Sequence, residues 1–190
     1  MKEMAPQLAS RECELNMDNL VTPRLLLEPF TEEHFADLHA LNSEPAVMHF
    51  LDGVRTPEES RAELLRILAA AATPGLGGWA VRRREDGVFI GRCGIKRSVE
   101  TAEHELLYAY RRAFWGQGFA AESAAAVLQH TFSLGVPLVI ACAVQENTAS
   151  IAVMQRIGMR FSRRAQMYGR DMAVYCAERG PSPGQRPGPR

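Results

Sequence analysis

Three short β-rich segments in the middle of the chain constrain the fold more than any other feature of the sequence. They run over Gly78–Val81, Val88–Ile95 and Glu105–Tyr110, and turn residues separate them. Glu85-Asp86-Gly87, between the first two, is a hairpin signal because Asp-Gly favours a tight turn between antiparallel strands. We therefore predict that the three segments are antiparallel neighbours in one sheet.

Helical signals precede these strands. A first strand over Arg24–Phe30 leads to Thr31, which is a suitable N-cap for a short helix. Thr56-Pro57-Glu58-Glu59 opens a second helix, with an N-cap, a proline at the first helical position and acids near the positive end of the dipole. This second helix is predicted to end at Pro74-Gly75 and to bury five apolar side chains: Leu64, Leu65, Ile67, Leu68 and Ala71.

Helices and strands alternate in the C-terminal part of the chain. Helical spacing covers Phe119–Leu134, and Leu138–Val144 is a fully apolar strand. A helix over Asn147–Ile157 follows, and two strands over 159–167 and 171–177 finish as a hairpin. The order β-α-α-β-β-β-α-β-α-β-β predicts an α/β (α+β) fold. It has a mixed, mostly antiparallel central sheet of about seven strands, with helices on both faces.

Length and composition fit a single domain. The chain has 190 residues, of which 46% are hydrophobic, and this is ample material for one buried core. Residues 1–18 show no clear period and are predicted to be a poorly ordered leader. Residues 179–190 form a Pro/Gly-rich tail with nothing to bury. The folded domain is therefore expected over residues 19–178.

Charge and cysteine usage exclude several classes of function. The 22 Lys+Arg and 22 Asp+Glu residues give a formal net charge of zero, so no overall field steers the chain onto nucleic acid or an anionic membrane. No apolar run is long enough for a signal peptide or a membrane span. The spacing of Cys13, Cys93, Cys142 and Cys176 is not typical of a metal site or a disulfide framework. We expect a cytoplasmic protein, monomeric or homodimeric, without a metal.

The chemistry is expected at the junction Trp115–Glu122. A strand ends near Tyr110 and a helix begins at about Gly118, so the junction presents free main-chain N–H groups at the positive end of a helix dipole. Gly116 and Gly118 remove side chains where a ligand approaches the main chain, and Ala120 keeps the first helical turn clear. This arrangement is typical of a pyrophosphate site. The alternative interpretation is that the glycines only form a tight turn.

A dinucleotide-binding loop shares part of this pattern. Gly116-x-Gly118-x-x-Ala121 matches that fingerprint, but it follows three strands predicted to be antiparallel. A Rossmann domain needs repeated βαβ units, and only one is visible in this sequence. No Gly-Lys-Ser/Thr follows the glycines, which excludes a Walker A loop. The dinucleotide interpretation is therefore the weaker one.

Motifs along most of the chain form an ordered set. From the N-terminal side they are Thr22–Leu25, Asn42–Met48, Gly78–Val81, Ile90-Gly91, Glu105–Tyr108, Phe114–Glu122, Asn147–Ser150 and Arg156–Met159. With this order and spacing, the sequence from about Thr22 to Met172 resembles the GNAT superfamily of acyl-CoA-dependent N-acetyltransferases, and within it the RimJ/RimL-like type. Trp115 begins the loop, as is usual in that branch, where many other members have Gln or Arg.

The resemblance implies where acetyl-CoA binds. The loop amides from Gly116 to Ala120 are expected to bind the CoA pyrophosphate. The Glu105–Tyr110 strand is expected to splay from Leu138–Val144, so that pantetheine pairs with exposed backbone between them. The residues implied to contact the cofactor are Tyr108, Ala109, Tyr110, Trp115, Gly116, Gln117, Gly118, Phe119, Ala120, Asn147 and Ser150. Arg111 and Arg112 either meet CoA phosphates or form a solvated basic pair.

Three positions depart from the family pattern. Glu28 replaces an arginine that is common at the end of the first strand, and His34 replaces a common aspartate. Leu107 stands where a glycine often precedes the tyrosine. The first two positions lie on the acceptor side of the family fold, so they bear on the choice of amine rather than on the cofactor.

The predicted catalytic residues are Glu105 and Ser150. Glu105 lies on the strand implied to flank the acetyl group and is the candidate general base, with an ordinary surface glutamate as the alternative. Many family members have a tyrosine seven residues after the equivalent of Asn147, but Met154 occupies that position in this sequence. Ser150 is therefore the candidate donor to the leaving thiolate. Asn147 is either a helix N-cap or a cofactor contact.

The predicted reaction is direct transfer of an acetyl group from acetyl-CoA to a primary amine, without a covalent enzyme intermediate. A lysine amine, with a pKa of about 10.4, is roughly three units from neutral at pH 7, whereas an α-amino group has a pKa of about 7.7–8.0. Protein or peptide N-termini are therefore among the expected acceptors. The alternative is a non-catalytic acyl-CoA-binding sensor, which would share the loop but would not depend on Glu105 and Ser150.

Overall fold

The computed structural model describes residues 17–180. The predicted leader and Pro/Gly-rich tail lie almost wholly outside the described residues. Met17 and Asp18, which the sequence assigns to the leader, contact the fold. Met17 packs against the core, and the Asp18 carbonyl accepts a hydrogen bond of 3.0 Å from Trp79 Nε1.

The described chain forms eight strands and five α-helices. The strands are β1 (Leu20–Val21), β2 (Leu25–Pro29), β3 (Gly77–Arg83), β4 (Phe89–Arg97), β5 (His104–Tyr110), β6 (Leu138–Val144), β7 (Arg160–Met167) and β8 (Arg170–Glu178). The helices are α1 (Phe35–Asn42), α2 (Pro45–Met48), α3 (Pro57–Ala70), α4 (Phe119–Ser133) and α5 (Thr148–Arg156), with 3₁₀ turns at Glu32–His34 and Arg112–Phe114.

All eight strands form one sheet in the order β1-β2-β3-β4-β5-β6-β8-β7. Neighbouring strands are antiparallel except β5 and β6, which are parallel. The predicted mixed, mostly antiparallel sheet is therefore confirmed, as is the antiparallel pairing of β3, β4 and β5. The sheet has one strand more than expected. The extra strand, Leu20–Val21, has only two residues, too few for an alternation of apolar and polar side chains to be recognised in the sequence.

Helices cover both faces of the sheet. Side chains alternate along β3, so Trp79 and Val81 join a core cluster with Val127 of α4, whereas Ala80 joins a second cluster with Leu64 of α3. The helices α1, α2 and α3 therefore lie on one face, and α4 and α5 lie on the other. Among residues 17–180, no helix is both long enough and apolar enough to cross a bilayer.

The start of α3 is as predicted. The Thr56 hydroxyl accepts a hydrogen bond of 3.2 Å from the Glu59 N–H, and the Glu59 carboxylate accepts one of 2.8 Å from the Thr56 N–H. This reciprocal capping box satisfies two main-chain donors that a helix start leaves without helical partners. The helix ends at Ala70, four residues before Pro74.

The predicted inner face of α3 is partly wrong. Leu65 is 52% exposed, and Ile67 and Leu68 are half-buried. The helix instead buries Glu63 beside Leu64, because the guanidinium of Arg92 on β4 forms an ion pair with the Glu63 carboxylate. A charged residue is rarely buried without such a partner, and the partner here lies 29 residues away in sequence.

Candidate active site

The two central strands separate along their length. β5 and β6 pair only at their first residues, His104 with Val139 and Glu105 with Ile140. Beyond this point β5 still pairs with β4, and β6 still pairs with β8. A wedge therefore opens between β5 and β6, and its backbone edges have no strand partner within residues 17–180. The predicted splay of the central strand pair is confirmed.

The loop that follows β5 presents a row of main-chain donors. Gly116 and Gly118 have φ angles of 73° and 80°, a left-handed conformation that glycine adopts without steric cost. In the described part of the chain, none of the six N–H groups from Gly116 to Ala121 donates a hydrogen bond to a protein acceptor. These donors lie at the positive end of the 15-residue helix α4, which favours an anion.

The side chains of this loop leave the donors accessible. Trp115 Nε1 donates to the Tyr110 carbonyl at 2.6 Å, and Gln117 Nε2 donates to the Ala113 carbonyl at 3.2 Å. A methyl group added at Gly116 would have no protein atom within 4 Å among the described residues. The turn is therefore open at Gly116.

A brace from the first part of the domain holds the start of α4. The Glu122 carboxylate accepts hydrogen bonds from the Thr22 hydroxyl at 2.6 Å and from Arg24 Nε at 2.7 Å. Arg24 also donates to the Gln117 carbonyl at 2.9 Å. Burial raises the pKa of Glu122, but the hydrogen bonds from Thr22 and Arg24 outweigh it and hold this pKa below its ordinary value. No local pattern in the sequence indicates this brace, because Thr22 lies 100 residues from Glu122.

The helix α5 begins with Asn147 as its N-cap, since Asn147 Oδ1 accepts a hydrogen bond of 3.1 Å from the Ser150 N–H. The Ser150 hydroxyl lies 3.0 Å from the Tyr108 hydroxyl, which also donates to the Ser150 carbonyl at 3.0 Å. Tyr108 therefore links β5 to α5. Burial raises the pKa of Tyr108 to about 12, so this phenol is neutral at ordinary pH. Met154 is fully buried.

Glu105 is a buried residue and not a surface glutamate. Its side chain lies at the closed end of the wedge, and the residue is 5% exposed. The carboxylate accepts hydrogen bonds from the Tyr168 hydroxyl at 2.5 Å and from Cys142 Sγ at 3.2 Å. Lys96 Nζ lies 3.6 Å from Glu105 Oε2. Burial, followed by the charge of Glu105, raises the pKa of Cys142 to about 12, so its thiol remains protonated.

Three of the residues implied to contact the cofactor use their side chains in packing. Tyr110 and Phe119 are each 5% exposed, and the Tyr110 hydroxyl is hydrogen-bonded to Ser123. The side chain of Ala109 belongs to the cluster beneath α1 and α3. Only the main chain of these three residues is therefore available to a ligand in the wedge or loop.

The two arginines before the loop have different surroundings. Arg111 Nε donates to the Glu44 carboxylate at 2.9 Å, so Arg111 is ion-paired and links the loop to the start of α2. The Arg112 N–H donates to the same carboxylate at 3.2 Å. The side chain of Arg112 lines an open groove with residues of α2 and the loop; the lining is Pro45, Ala46, His49, Phe50, Arg112 and Trp115.

The positions that depart from the family pattern have local partners. Glu28 Oε2 accepts a hydrogen bond of 2.7 Å from Arg82. His34 Nδ1 accepts one of 3.0 Å from the Thr31 N–H, so His34 completes a capping box that an acid commonly completes. Leu107 is half-buried and pairs with Gly94 of β4.

Comparisons with known proteins agree with this geometry. Residues 24–160 match the family model described as the acetyltransferase (GNAT) domain. The chain is 29% identical over 160 residues to the uncharacterized protein YkkB of Bacillus subtilis, and the alignment covers 82% of this chain and 93% of that protein.

Two solved structures have the same fold. An acetyltransferase from Agrobacterium tumefaciens superposes with a TM-score of 0.77 at 26% identity, covering 85% of this chain and 95% of that one. The ribosomal α-N-protein acetyltransferase RimL, in complex with coenzyme A, superposes with a TM-score of 0.73 at 19% identity, covering 85% and 98%. Because the family model spans well over half of the sequence, and the wedge and the donor-lined loop occur together, this chain belongs to the GNAT acetyltransferase family.

Proposed function

We propose that this chain transfers the acetyl group of acetyl-CoA to a primary amine by direct attack, with no covalent enzyme intermediate. The GNAT family transfers acetyl groups from acetyl-CoA to amines. One observation carries the proposal: the wedge runs from the buried carboxylate of Glu105 at its closed end toward the loop that follows β5. A thioester in the wedge would therefore have a base at one end and donors for its phosphates at the other.

We assign the CoA diphosphate to the main-chain N–H groups of Gly116–Ala120. A diphosphate suits this loop, because its oxygens accept hydrogen bonds from several amides at once and its charge opposes the helix dipole. Pantetheine is assigned to the free backbone edge of β5 over Tyr108–Tyr110. Asn147 uses its Oδ1 for capping, which leaves its Nδ2 group to donate to a carbonyl of pantetheine.

In the proposed reaction, the amine nitrogen attacks the thioester carbonyl carbon, and the C–S bond breaks as the C–N bond forms. Before attack, Glu105 takes the proton that keeps the acceptor an ammonium, and the second proton, which the nitrogen loses as the amide forms, goes to the departing thiolate. The thiolate leaves beside Ser150, whose hydroxyl rotates away from Tyr108 and donates a hydrogen bond to the sulfur. Tyr108, with its pKa near 12, does not protonate a thiolate whose own pKa is about 8.5. The Ser150–Tyr108 pair therefore stabilises the thiolate by hydrogen bonding rather than by proton transfer.

An α-amino group is the acceptor class that we propose. Deprotonating a lysine ammonium at pH 7 costs about 4–5 kcal/mol, whereas an α-ammonium costs about 1 kcal/mol. A single carboxylate base is sufficient to offset the cost of about 1 kcal/mol for an α-ammonium. Within the family, Trp115 at the start of the loop and the Asn147-x-x-Ser150 motif support a RimJ/RimL-like type. Resemblance to that type implies α-amino groups of proteins as acceptors.

Two measurements test the proposal. Calorimetry with acetyl-CoA should give one binding site per chain, and release of free thiol should then be followed with short peptides that begin with Ser, Ala or Met. The matched controls are the same peptides with blocked N-termini. We expect thiol release only with free N-termini, and a corresponding mass gain on the peptide. No binding at millimolar acetyl-CoA would refute the proposal, whereas binding without thiol release would favour a sensor domain.

A further inference from the structure

The carboxylate of the candidate base, Glu105, is almost enclosed. Glu105 is 5% exposed, and three groups surround its carboxylate: the Tyr168 hydroxyl, the Cys142 thiol and the Lys96 ammonium. Because so little of the carboxylate is exposed, we expect an acceptor amine to meet one of these groups first. A proton can, however, pass through a neighbour that both donates and accepts hydrogen bonds.

Only one of the three neighbours is well suited to pass a proton. The Lys96 ammonium has no lone pair to accept one, and the Cys142 sulfur is a weak acceptor. The Tyr168 hydroxyl donates its hydrogen to Glu105 Oε2 at 2.5 Å, and its oxygen, which lies 3.3 Å from Ser98 Oγ, retains a further lone pair to accept a proton. Tyr168 is also half-buried, so its side chain is more accessible than that of Glu105.

The Tyr168 hydroxyl is positioned by a tight backbone turn. Tyr168 and Gly169 form the two-residue turn between β7 and β8, with φ angles of 54° and 70°. A left-handed conformation is uncommon for a tyrosine, and surrounding contacts must maintain it. The Tyr168 N–H donates to Glu100 Oε1 at 3.2 Å, and Lys96 Nζ lies 4.4 Å from the centre of the Tyr168 ring. Arg170, after the turn, donates to the Phe50 carbonyl at 3.0 Å.

We propose that Tyr168 is a catalytic residue that relays the proton of the acceptor amine to Glu105. The ammonium N–H bond breaks as its proton binds Tyr168 Oη, and the hydrogen of Tyr168 moves to Glu105 Oε2. The amine then carries the lone pair that attacks the thioester, the tyrosine is again neutral, and Glu105 is a carboxylic acid. The same hydroxyl returns the proton to solvent after the product leaves. This relay rests on the proposed acetyl transfer.

The protonation state of the Tyr168 phenol suits a proton relay. Burial and the hydrogen bond to Glu105 raise the pKa of Tyr168 well above its ordinary value. The phenol therefore never accumulates as phenolate, and it exchanges one proton for another while remaining neutral. The charged or titratable groups that face it are Glu105 on β5, Lys96 on β4, Cys142 on β6 and Glu100 on the loop between β4 and β5.

Kinetics of single and double variants test the relay. The probe acceptors are glycinamide, which is mostly an ammonium at pH 7, and trifluoroethylamine, which is mostly neutral. With glycinamide, Tyr168→Phe and Glu105→Gln should each lower kcat/KM by about 100-fold, as loss of a general base does. The double variant should fall no more than about threefold further, because both residues serve one proton path. With trifluoroethylamine, both single variants should stay within about threefold of wild type, since no proton must leave before attack.

Tyr175→Phe is the matched control. Its hydroxyl also belongs to the β7–β8 hairpin, but it faces Gln155 of α5 rather than Glu105. We expect its kcat/KM to stay within about twofold of wild type. The relay is overturned if Tyr168→Phe behaves like this control with glycinamide, or if the two single losses multiply in the double variant. In either case normal wild-type turnover leaves the proposed function standing.

A measurement without acceptor tests the contact itself. Carbon-13 labelling of the tyrosine ring, with the Tyr168 signal assigned by its loss in Tyr168→Phe, reports the ionisation of this phenol by NMR. Glu105→Gln removes the neighbouring negative charge, so the pKa of Tyr168 should fall. An unchanged Tyr168 titration would mean that the hydroxyl does not contact Glu105, and this would refute the relay. Failure of the wild type to bind acetyl-CoA would instead refute the proposed function.

Discussion

Alanine at Gly116 should separate the stability of the loop from its affinity for acetyl-CoA. Gly116 has a φ of 73°, and no atom of residues 17–180 lies within 4 Å of an added methyl group. The substitution therefore introduces backbone strain but no clash, and left-handed alanine costs about 1–2 kcal/mol. For a chain of this size, that lowers the midpoint of thermal unfolding by about 2–8 °C.

Gly87 provides a matched control for this strain. It has a φ of 70° in the turn between β3 and β4, and a methyl group there also meets none of the described residues within 4 Å. Gly87→Ala should therefore lose a similar amount of stability. Only the methyl at Gly116 crowds the proposed diphosphate, and losing one charge-assisted hydrogen bond costs about 1.5–3 kcal/mol.

The expected difference lies in the affinity for acetyl-CoA. Calorimetry should show a Kd about 10- to 100-fold weaker for Gly116→Ala, and an unchanged Kd for Gly87→Ala. Without ligand, the two variants should have similar midpoints of thermal unfolding. Equal affinities for the two variants would refute the assignment of the diphosphate to this loop.

Three further predictions concern stability and turnover. Arg92→Met removes the closer of the two ion-pair partners of the buried Glu63 carboxylate and leaves Arg55 at 3.4 Å, so it should lower the free energy of unfolding in urea by about 3 kcal/mol, whereas the double variant Arg92→Met/Glu63→Leu should recover most of the loss. Burial raises the pKa of Glu63, but Arg92 and Arg55 outweigh it and lower this pKa below 4.5. A carboxylate with a lowered folded-state pKa stabilises the protein above its unfolded pKa, so stability should fall as the pH drops below about 4.5. This acid-induced loss should be smaller in Glu63→Gln, and an equal loss in both proteins would contradict the prediction. Ser150→Ala should lower kcat by about tenfold with a Kd for acetyl-CoA within about threefold of wild type, and an unchanged kcat would remove Ser150 from the mechanism.

Local signals made much of the fold predictable. The capping box of α3 involves residues only three positions apart, and the turn before α4 is marked by Gly116 and Gly118. The apolar run Leu138–Val144 matches the observed bounds of β6. Each of these features is determined by residues within one turn or one strand, so the sequence is sufficient to predict it.

Contacts between distant segments were not predictable. Tyr168 lies 63 residues from Glu105, and the sequence around either residue does not indicate that the two are in contact. The sequence therefore left Glu105 as either a base or a surface residue. Leu65 is exposed because helical spacing places Glu63, Leu64 and Ile67 on the face toward the sheet, and the burial of Glu63 depends on Arg92, a partner 29 residues away that no local pattern indicates.

A crystal structure of this chain with acetyl-CoA tests the central claim most directly. We predict diphosphate oxygens within about 3 Å of the main-chain nitrogens of Gly116–Ala120, with pantetheine lying between β5 and β6. A diphosphate bound elsewhere, with the N–H groups of this turn still free of ligand, would contradict it.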